Sequence, residues 1–107
     1  MINDKQKIEH MKKINFKAIE IEDIEKNIQT IDIARPLGNQ LYLQGQDIKV
    51  CDLGRDIYYS DGEMELTDEQ VRMVLNAVRD YPFVTRTAIA KALKNEDWLS
   101  IWAEELS

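Results

Sequence analysis

The chain has 107 residues, of which 44% are hydrophobic and 32% are charged, and its formal net charge is −6. This length predicts one domain, and this balance of apolar and charged residues is typical of an ordered globular chain. The negative charge disfavours nucleic acid as a ligand, because binding to it depends on lysine and arginine side chains that neutralise phosphates. Solubility is the simplest explanation of the acidity.

Cysteine content and hydropathy predict a soluble, cytoplasmic protein. The single cysteine, Cys51, excludes an internal disulfide and leaves too few thiols for a cysteine-based zinc site. No apolar run approaches the roughly 20 residues that span a bilayer. The first residues are polar where a signal peptide would be apolar. We therefore expect no membrane association and a reducing compartment.

A polar arm over residues 1–12 and a single α+β domain over residues 13–107, without internal repeats, are the expected organisation. The isoleucine-rich alternation between residues 14 and 33 is the strongest strand signal and predicts an antiparallel hairpin. We expect a three-residue loop with Asn27 in the left-handed conformation. This loop sets a register of three isoleucine pairs: Ile24 with Ile28, Ile21 with Ile31, and Ile19 with Ile33. The alternation changes phase at Ala18, where we expect a bulge or kink.

Four or five helices are expected after the hairpin. Asp47 is placed to cap the second of them, and Thr67 with Gln70 matches the capping box of the third. A further helix begins near Thr85. Residues 63–66 alternate and predict a short third strand or an extended segment. The predicted fold is therefore α+β, with an antiparallel sheet of two or three strands packed against these helices.

The sequence offers no catalytic set. The single histidine, His10, lies in the polar arm without a neighbouring serine or cysteine, and Cys51 lies among apolar residues. The carboxylates around Asp61 and Asp68 miss the spacing of a calcium loop, and the glycines are too scattered for a phosphate-binding loop. We therefore predict no catalytic residues, no metal site and no cofactor, and a protein that is not an enzyme.

Aromatic and aliphatic residues provide the candidate interface. Tryptophan and tyrosine are enriched among residues that dominate binding energies. The candidates are Trp98, Ile101, Trp102 and Tyr59. A C-terminal helix that docks back on the hairpin would instead bury the two tryptophans in the core.

Residues 84–102 resemble a helix-turn-helix pattern, with the turn around Lys94. The candidate DNA contacts are Arg79, Arg86, Lys91 and Lys94. The second helix of this pattern would begin with Glu96 and Asp97 and end near Glu104 and Glu105, which places like charge against phosphates. DNA binding is therefore an alternative rather than the first hypothesis.

A segment in the middle of the chain carries a family resemblance. Residues 53–59, LGRDIYY, are followed by an acidic turn and by residues 65–70, ELTDEQ, which open a helix; a strand at residues 13–16 precedes them. This layout resembles small accessory proteins from the structural, tail-assembly-type operons of tailed phages and prophages. The resemblance implies a non-catalytic protein that works by contacting other proteins, and no site residues carry over from it.

The sequence thus favours a protein-protein interaction or assembly module from a phage or another mobile element. Its partner is expected to be another protein, and self-association stays open. The first alternative is a DNA-binding regulator that uses residues 84–102. The second is an acidic inhibitor of a nucleic-acid-binding protein.

Overall fold

The computed structural model describes residues 11–94, which form four short strands and four α-helices. In chain order the elements are β1 (Lys12–Asn15), β2 (Ile19–Glu22), β3 (Ile28–Ile31), α1 (Ala34–Gln44), α2 (Ile48–Tyr58), β4 (Glu63–Leu66), α3 (Asp68–Ala77), a 3-10 turn (Val78–Asp80) and α4 (Phe83–Ala92). β1 pairs antiparallel with β4, and β2 pairs antiparallel with β3, in two separate two-stranded sheets. The α+β class is confirmed, and residues 63–66 do form a strand.

The register of the β2–β3 hairpin differs from the predicted one. Ile19 pairs with Ile31 and Glu22 pairs with Ile28, so the predicted isoleucine pairs are wrong by two residues. The backbone N–H of Ile33, the expected partner of Ile19, donates instead to the carbonyl oxygen of Phe16 at 2.8 Å. This bond ties the end of the hairpin to the turn after β1.

The side chain of Asp23 explains the shifted register. Its carboxylate Oδ1 accepts the backbone N–H groups of Glu25 and Asn27, each at 2.9 Å. An aspartate at this position stabilises a turn that begins at its own residue. The loop therefore has three residues, as predicted, but runs from Ile24 to Lys26. Lys26, with φ of 71°, is the left-handed residue, and the assignment of that conformation to Asn27 was wrong.

The predicted kink before Ile19 is present. The side chain of Asn15 accepts the backbone N–H of Lys17 at 2.9 Å, and its carbonyl oxygen accepts that of Ala18 at 3.1 Å. These bonds turn the chain between β1 and β2. Ile14, Phe16 and Ile19 are consequently all buried, although they lie in opposite phases of the alternation.

The predicted caps of α2 and α3 are confirmed. The Asp47 carboxylate accepts the N–H of Val50 at 3.2 Å, and Thr67 and Gln70 form both bonds of the capping box. α4 begins at Phe83, two residues before the predicted start. The core draws on every strand pair and helix: Ile14, Phe16, Ile19, Ile33, Ala34, Leu37, Leu41, Leu53, Ile57, Leu66, Val71, Val74, Leu75, Val78, Ile89, Ala90 and Leu93.

Two sets of predicted features lie outside the described residues. They are the polar arm up to residue 10 and the C-terminal segment with Trp98, Ile101 and Trp102. Within residues 11–94, no helix is long and apolar enough to cross a membrane.

Candidate functional site

α1 and α2 carry the same six-residue pattern. It reads Leu-Gly-x-x-(Leu or Ile)-Tyr, as LGNQLY at residues 37–42 and LGRDIY at residues 53–58. In both copies the first and fifth residues are buried, the glycine contacts the neighbouring helix, and the tyrosine is partly exposed. The expectation of no internal repeat was therefore wrong at this short length.

The two glycines bring the helix backbones into direct contact. A Cβ atom at Gly38 would lie 2.7 Å from the carbonyl oxygen of Gly54 and 2.8 Å from the backbone nitrogen of Tyr58. A Cβ atom at Gly54 would lie 2.6 Å from the carbonyl oxygen of Gly38 and 2.7 Å from the backbone nitrogen of Tyr42. Each glycine thus faces the same two repeat positions of the other helix, namely the carbonyl oxygen of the glycine and the backbone nitrogen of the tyrosine. The two helices are therefore related by an approximate two-fold axis through this glycine crossing.

Three tyrosines and two arginines surround the crossing: Arg35, Tyr42, Arg55, Tyr58 and Tyr59. We call them the Tyr–Arg surface. The Arg35 guanidinium of α1 lies 5.6 Å from the ring centroid of Tyr58, at the end of α2. The Arg55 guanidinium of α2 lies 5.6 Å from the ring centroid of Tyr42 on α1. Each helix therefore stacks a cation on a tyrosine of the other, within the distance at which ring faces attract cations.

The Tyr–Arg surface is open to solvent and concave. Tyr59 is 74% exposed and Tyr42 is 46% exposed. The rings of Tyr58 and Tyr59 meet edge to face, with centroids 4.9 Å apart. Between the helices lies a pocket of about 310 Å³. Its lining residues are Gly38, Asn39, Tyr42, Gly54, Arg55, Tyr58 and Tyr59, and Arg35 lies beside it, over the Tyr58 ring. The three tyrosine rings therefore line the sides of this cavity, together with the two glycines of the crossing.

Neither arginine of this surface forms an ion pair with another described residue. The ion pairs within residues 11–94 are Lys13–Glu65 at 3.9 Å and Lys49–Glu69 at 3.8 Å, both in exposed positions. Stacking uses the face of a guanidinium and leaves its in-plane N–H groups as donors. The surface therefore presents cationic hydrogen-bond donors beside aromatic rings.

Only part of this site follows from the sequence analysis. Tyr59 is the predicted interface residue that the structure places in it, whereas Trp98, Ile101 and Trp102 lie outside the described residues. The other four members were missed. The signal that could have revealed them is the repeat, since equal spacing of glycine and tyrosine on two adjacent helices predicts a shared face.

The four candidate DNA contacts lie on or beside α4 and the 3-10 turn that precedes it. Nη1 of Arg86 donates to the carbonyl oxygen of Arg79, and its guanidinium lies 5.5 Å from the ring centroid of Phe83. Lys91 is exposed in the last turn of α4, and Lys94, with φ of 52°, follows that helix. α4 and the turn at Lys94 fit the first half of the predicted helix-turn-helix. Its second half lies outside the described residues.

A larger groove of about 530 Å³ lies between the β2–β3 hairpin and α4. Exposed apolar side chains line it: Ile28, Phe83 and Val84. This groove borders the end of α4, directly before the residues outside the description. The Tyr–Arg surface is the candidate site because its cations and aromatic rings lie together on two helices whose backbones are in contact.

The described residues offer little for other chemistry. Within residues 11–94, no group of three or more histidine, cysteine, aspartate or glutamate side chains converges as metal ligands would. The thiol of Cys51 is partly buried and donates to the carbonyl oxygen of Tyr42 at 3.4 Å, which is a structural role. No protein-family model matches the chain, and comparisons with curated proteins and with solved structures give no significant match.

Proposed function

We propose that this protein is a non-catalytic interaction or assembly module that binds a partner protein through the Tyr–Arg surface. The pair of reciprocal arginine–tyrosine stacks around the glycine crossing carries this proposal. Tyrosine and arginine are enriched at protein interfaces and among the residues that dominate their binding energies. Tyrosine also supplies a large contact area at a small cost in side-chain entropy.

The helices beneath the surface favour binding because they are fixed before a partner arrives. At the crossing, Gly38 and Gly54 leave no room even for a Cβ atom, and Leu37, Leu41 and Ile57 anchor both helices in the core. Rigid presentation reduces the ordering cost that association must overcome.

The phage resemblance agrees with an assembly role. Residues 53–59, which carry much of it, also supply Arg55, Tyr58 and Tyr59 to the surface. We therefore propose that the module acts in the cytoplasm during phage or prophage morphogenesis. The DNA-binding alternative is less favoured, because the Arg86 guanidinium is engaged by the Arg79 carbonyl and the Phe83 ring.

The test is capture of the tagged full chain from its native lysate after nuclease treatment, with co-purifying proteins quantified by mass spectrometry. Tyr59→Ala should reduce the captured partner at least tenfold, since truncating an interface hot spot costs about 2 kcal/mol or more. Thermal unfolding should be unchanged, because Tyr59 is 74% exposed.

Phe83→Ala is the matched control, since Phe83 is an exposed aromatic residue at the groove beside α4. It should leave capture of the partner intact. Loss of the partner in Phe83→Ala with retention in Tyr59→Ala would move the binding site to that groove. Material that is retained only without nuclease would support the DNA-binding alternative instead.

A further inference from the structure

We propose that the Tyr–Arg surface binds an acidic segment of the partner protein, whose carboxylates pair with Arg35 and Arg55 while an apolar side chain enters the pocket between the tyrosines. This inference rests on the proposed function and specifies the chemistry of the partner. Charge complementarity, stacking geometry and the shape of the pocket support it.

Charge is the first argument. The chain carries a net charge of −6, yet this aromatic surface is flanked by two cations. Asp52 and Asp56 lie on the same helix as Arg55, but neither forms an ion pair with it in the described structure. A ligand that supplies carboxylates would therefore complete interactions that the described residues 11–94 do not provide.

The geometry of the stacks is the second argument. A guanidinium that lies over a ring keeps the fork of in-plane N–H donors that matches a carboxylate in a bidentate arrangement. Arg35 is on α1 and Arg55 is on α2, so the two guanidinium groups come from opposite helices of the crossing. Two carboxylates spaced along a peptide suit this arrangement. A nucleic acid needs many cations to neutralise its phosphates, whereas two arginines, the cations among the described residues of this surface, suffice for a short peptide with two carboxylates.

The pocket is the third argument. It has a volume of about 310 Å³ and lies between the rings of Tyr42, Tyr58 and Tyr59. Gly38 and Gly54 also line it. This volume is at the lower end of the range for ligand pockets. Such pockets bury apolar groups of the ligand and use a few polar groups to orient it. An aliphatic residue between the acidic ones would occupy it.

The experiment is an NMR titration of the ¹⁵N-labelled full chain with the blocked peptide Glu-Glu-Leu-Glu-Glu. The peptide should shift the amide signals of the Tyr–Arg surface in a saturable manner. Its affinity should fall as salt is added, because salt screens interactions between charges. Arg35→Gln and Arg55→Gln should each weaken binding about tenfold, which is the effect of removing a charge-assisted hydrogen bond of about 1.4 kcal/mol. Unchanged thermal unfolding of both variants shows that the fold is intact.

Lys49→Gln is the matched control, because Lys49 is an exposed cation on the same helix that already pairs with Glu69. It should leave peptide affinity unchanged. Equal binding of the neutral peptide Gln-Gln-Leu-Gln-Gln, or an equal loss in Lys49→Gln, overturns the proposal. So does a preference of the same surface for inorganic phosphate or duplex DNA.

The two proposals fail separately. If the surface shows no preference for the acidic peptide while Tyr59→Ala still releases the captured partner, the interaction module stands and the acidic ligand is wrong. If Tyr59→Ala leaves capture intact, the proposed function itself fails at this surface.

Discussion

The two hairpins of the molecule are held together in opposite ways. The β2–β3 hairpin is rich in isoleucine, but Ile19 is the only residue of its two strands that is buried, and Ile24 at its tip is 96% exposed. The α1–α2 hairpin buries residues along both helices: Ala34, Leu37, Gly38, Leu41, Leu53, Gly54 and Ile57. Isoleucine content therefore predicts a strand, because β-branched residues suit an extended backbone, but it does not predict burial.

This difference explains why the candidate site belongs to the helical hairpin. The Tyr–Arg surface stands on two helices that are fixed by backbone contact and by the core. The β2–β3 hairpin is held at its base by Ile19 and by the bond from Ile33 to Phe16, while its tip extends into solvent. A binding surface needs the first kind of support, since rigid elements position side chains more precisely than loops do.

The largest expected effect tests the anchor of the β2–β3 hairpin. Ile19→Ala should lower the free energy of unfolding by about 3 kcal/mol, because it removes a fully buried side chain and leaves a cavity. Ile24→Ala is the matched control and should change it by less than about 0.5 kcal/mol, because that side chain is 96% exposed. Urea unfolding measures both. Equal losses would mean that the tip of the hairpin is packed in solution.

The next effect tests the glycine crossing of the helical hairpin. Alanine normally stabilises a helix by about 1 kcal/mol relative to glycine. At Gly54, however, a Cβ atom would meet backbone atoms of α1 at 2.6 and 2.7 Å, which cannot rotate away. Overpacking of this kind costs roughly 1–3 kcal/mol and sometimes more, so Gly54→Ala should destabilise the protein by about 2 kcal/mol net.

Gly62→Ala is the control for the crossing, since no atom lies within 4 Å of a Cβ atom built there and its φ is not positive. It should be neutral or slightly stabilising, because alanine restricts the unfolded chain. If Gly54→Ala also stabilises the protein, the helix backbones are not in contact, and the platform of the Tyr–Arg surface is lost with them.

Local chemistry made part of the fold predictable. The caps at Asp47 and Thr67 and the kink before Ile19 depend on side chains within a few residues of the backbone groups they contact. The register of the β2–β3 hairpin was missed for a physical reason. A shift of two residues leaves every isoleucine on the same face of its strand, so the alternation that assigns residues to faces does not distinguish the two registers. Asp23 decides between them.

The site was less predictable than the fold because its contacts join two helices. Tyr59 was predicted as an interface residue because it is aromatic, but the stack of Arg55 on Tyr42 depends on how α1 and α2 cross. The crossing in turn depends on Gly38 and Gly54, and hydrophobic periodicity does not reveal glycines that form a helix contact. Comparison of residues 37–42 with residues 53–58 is the step that would have linked them.

The smallest expected effect returns to the loop that sets the register of the β2–β3 hairpin. The backbone N–H of Asn27, and then that of Glu25, donate to the Asp23 carboxylate and hold its pKa below the ordinary value of 3.8. A pKa that is lower in the folded than in the unfolded state stabilises the protein above that ordinary value. The stabilisation is lost as the pH falls through the lowered pKa.

Asp23→Asn isolates this charge, because asparagine can still accept the two backbone N–H groups. The variant should be less stable than the wild type at about pH 7, and the difference should shrink as the pH falls through the lowered pKa of Asp23, below which both side chains are neutral. Asp61→Asn controls for the removal of one surface acid from an acidic chain. Because Asp23 holds only the tip, hydrogen exchange at the Asn27 amide should respond more strongly than global unfolding. A difference that is independent of pH would mean that the turn is stabilised by side-chain shape rather than by charge, and Asp23 would then set the register through geometry alone.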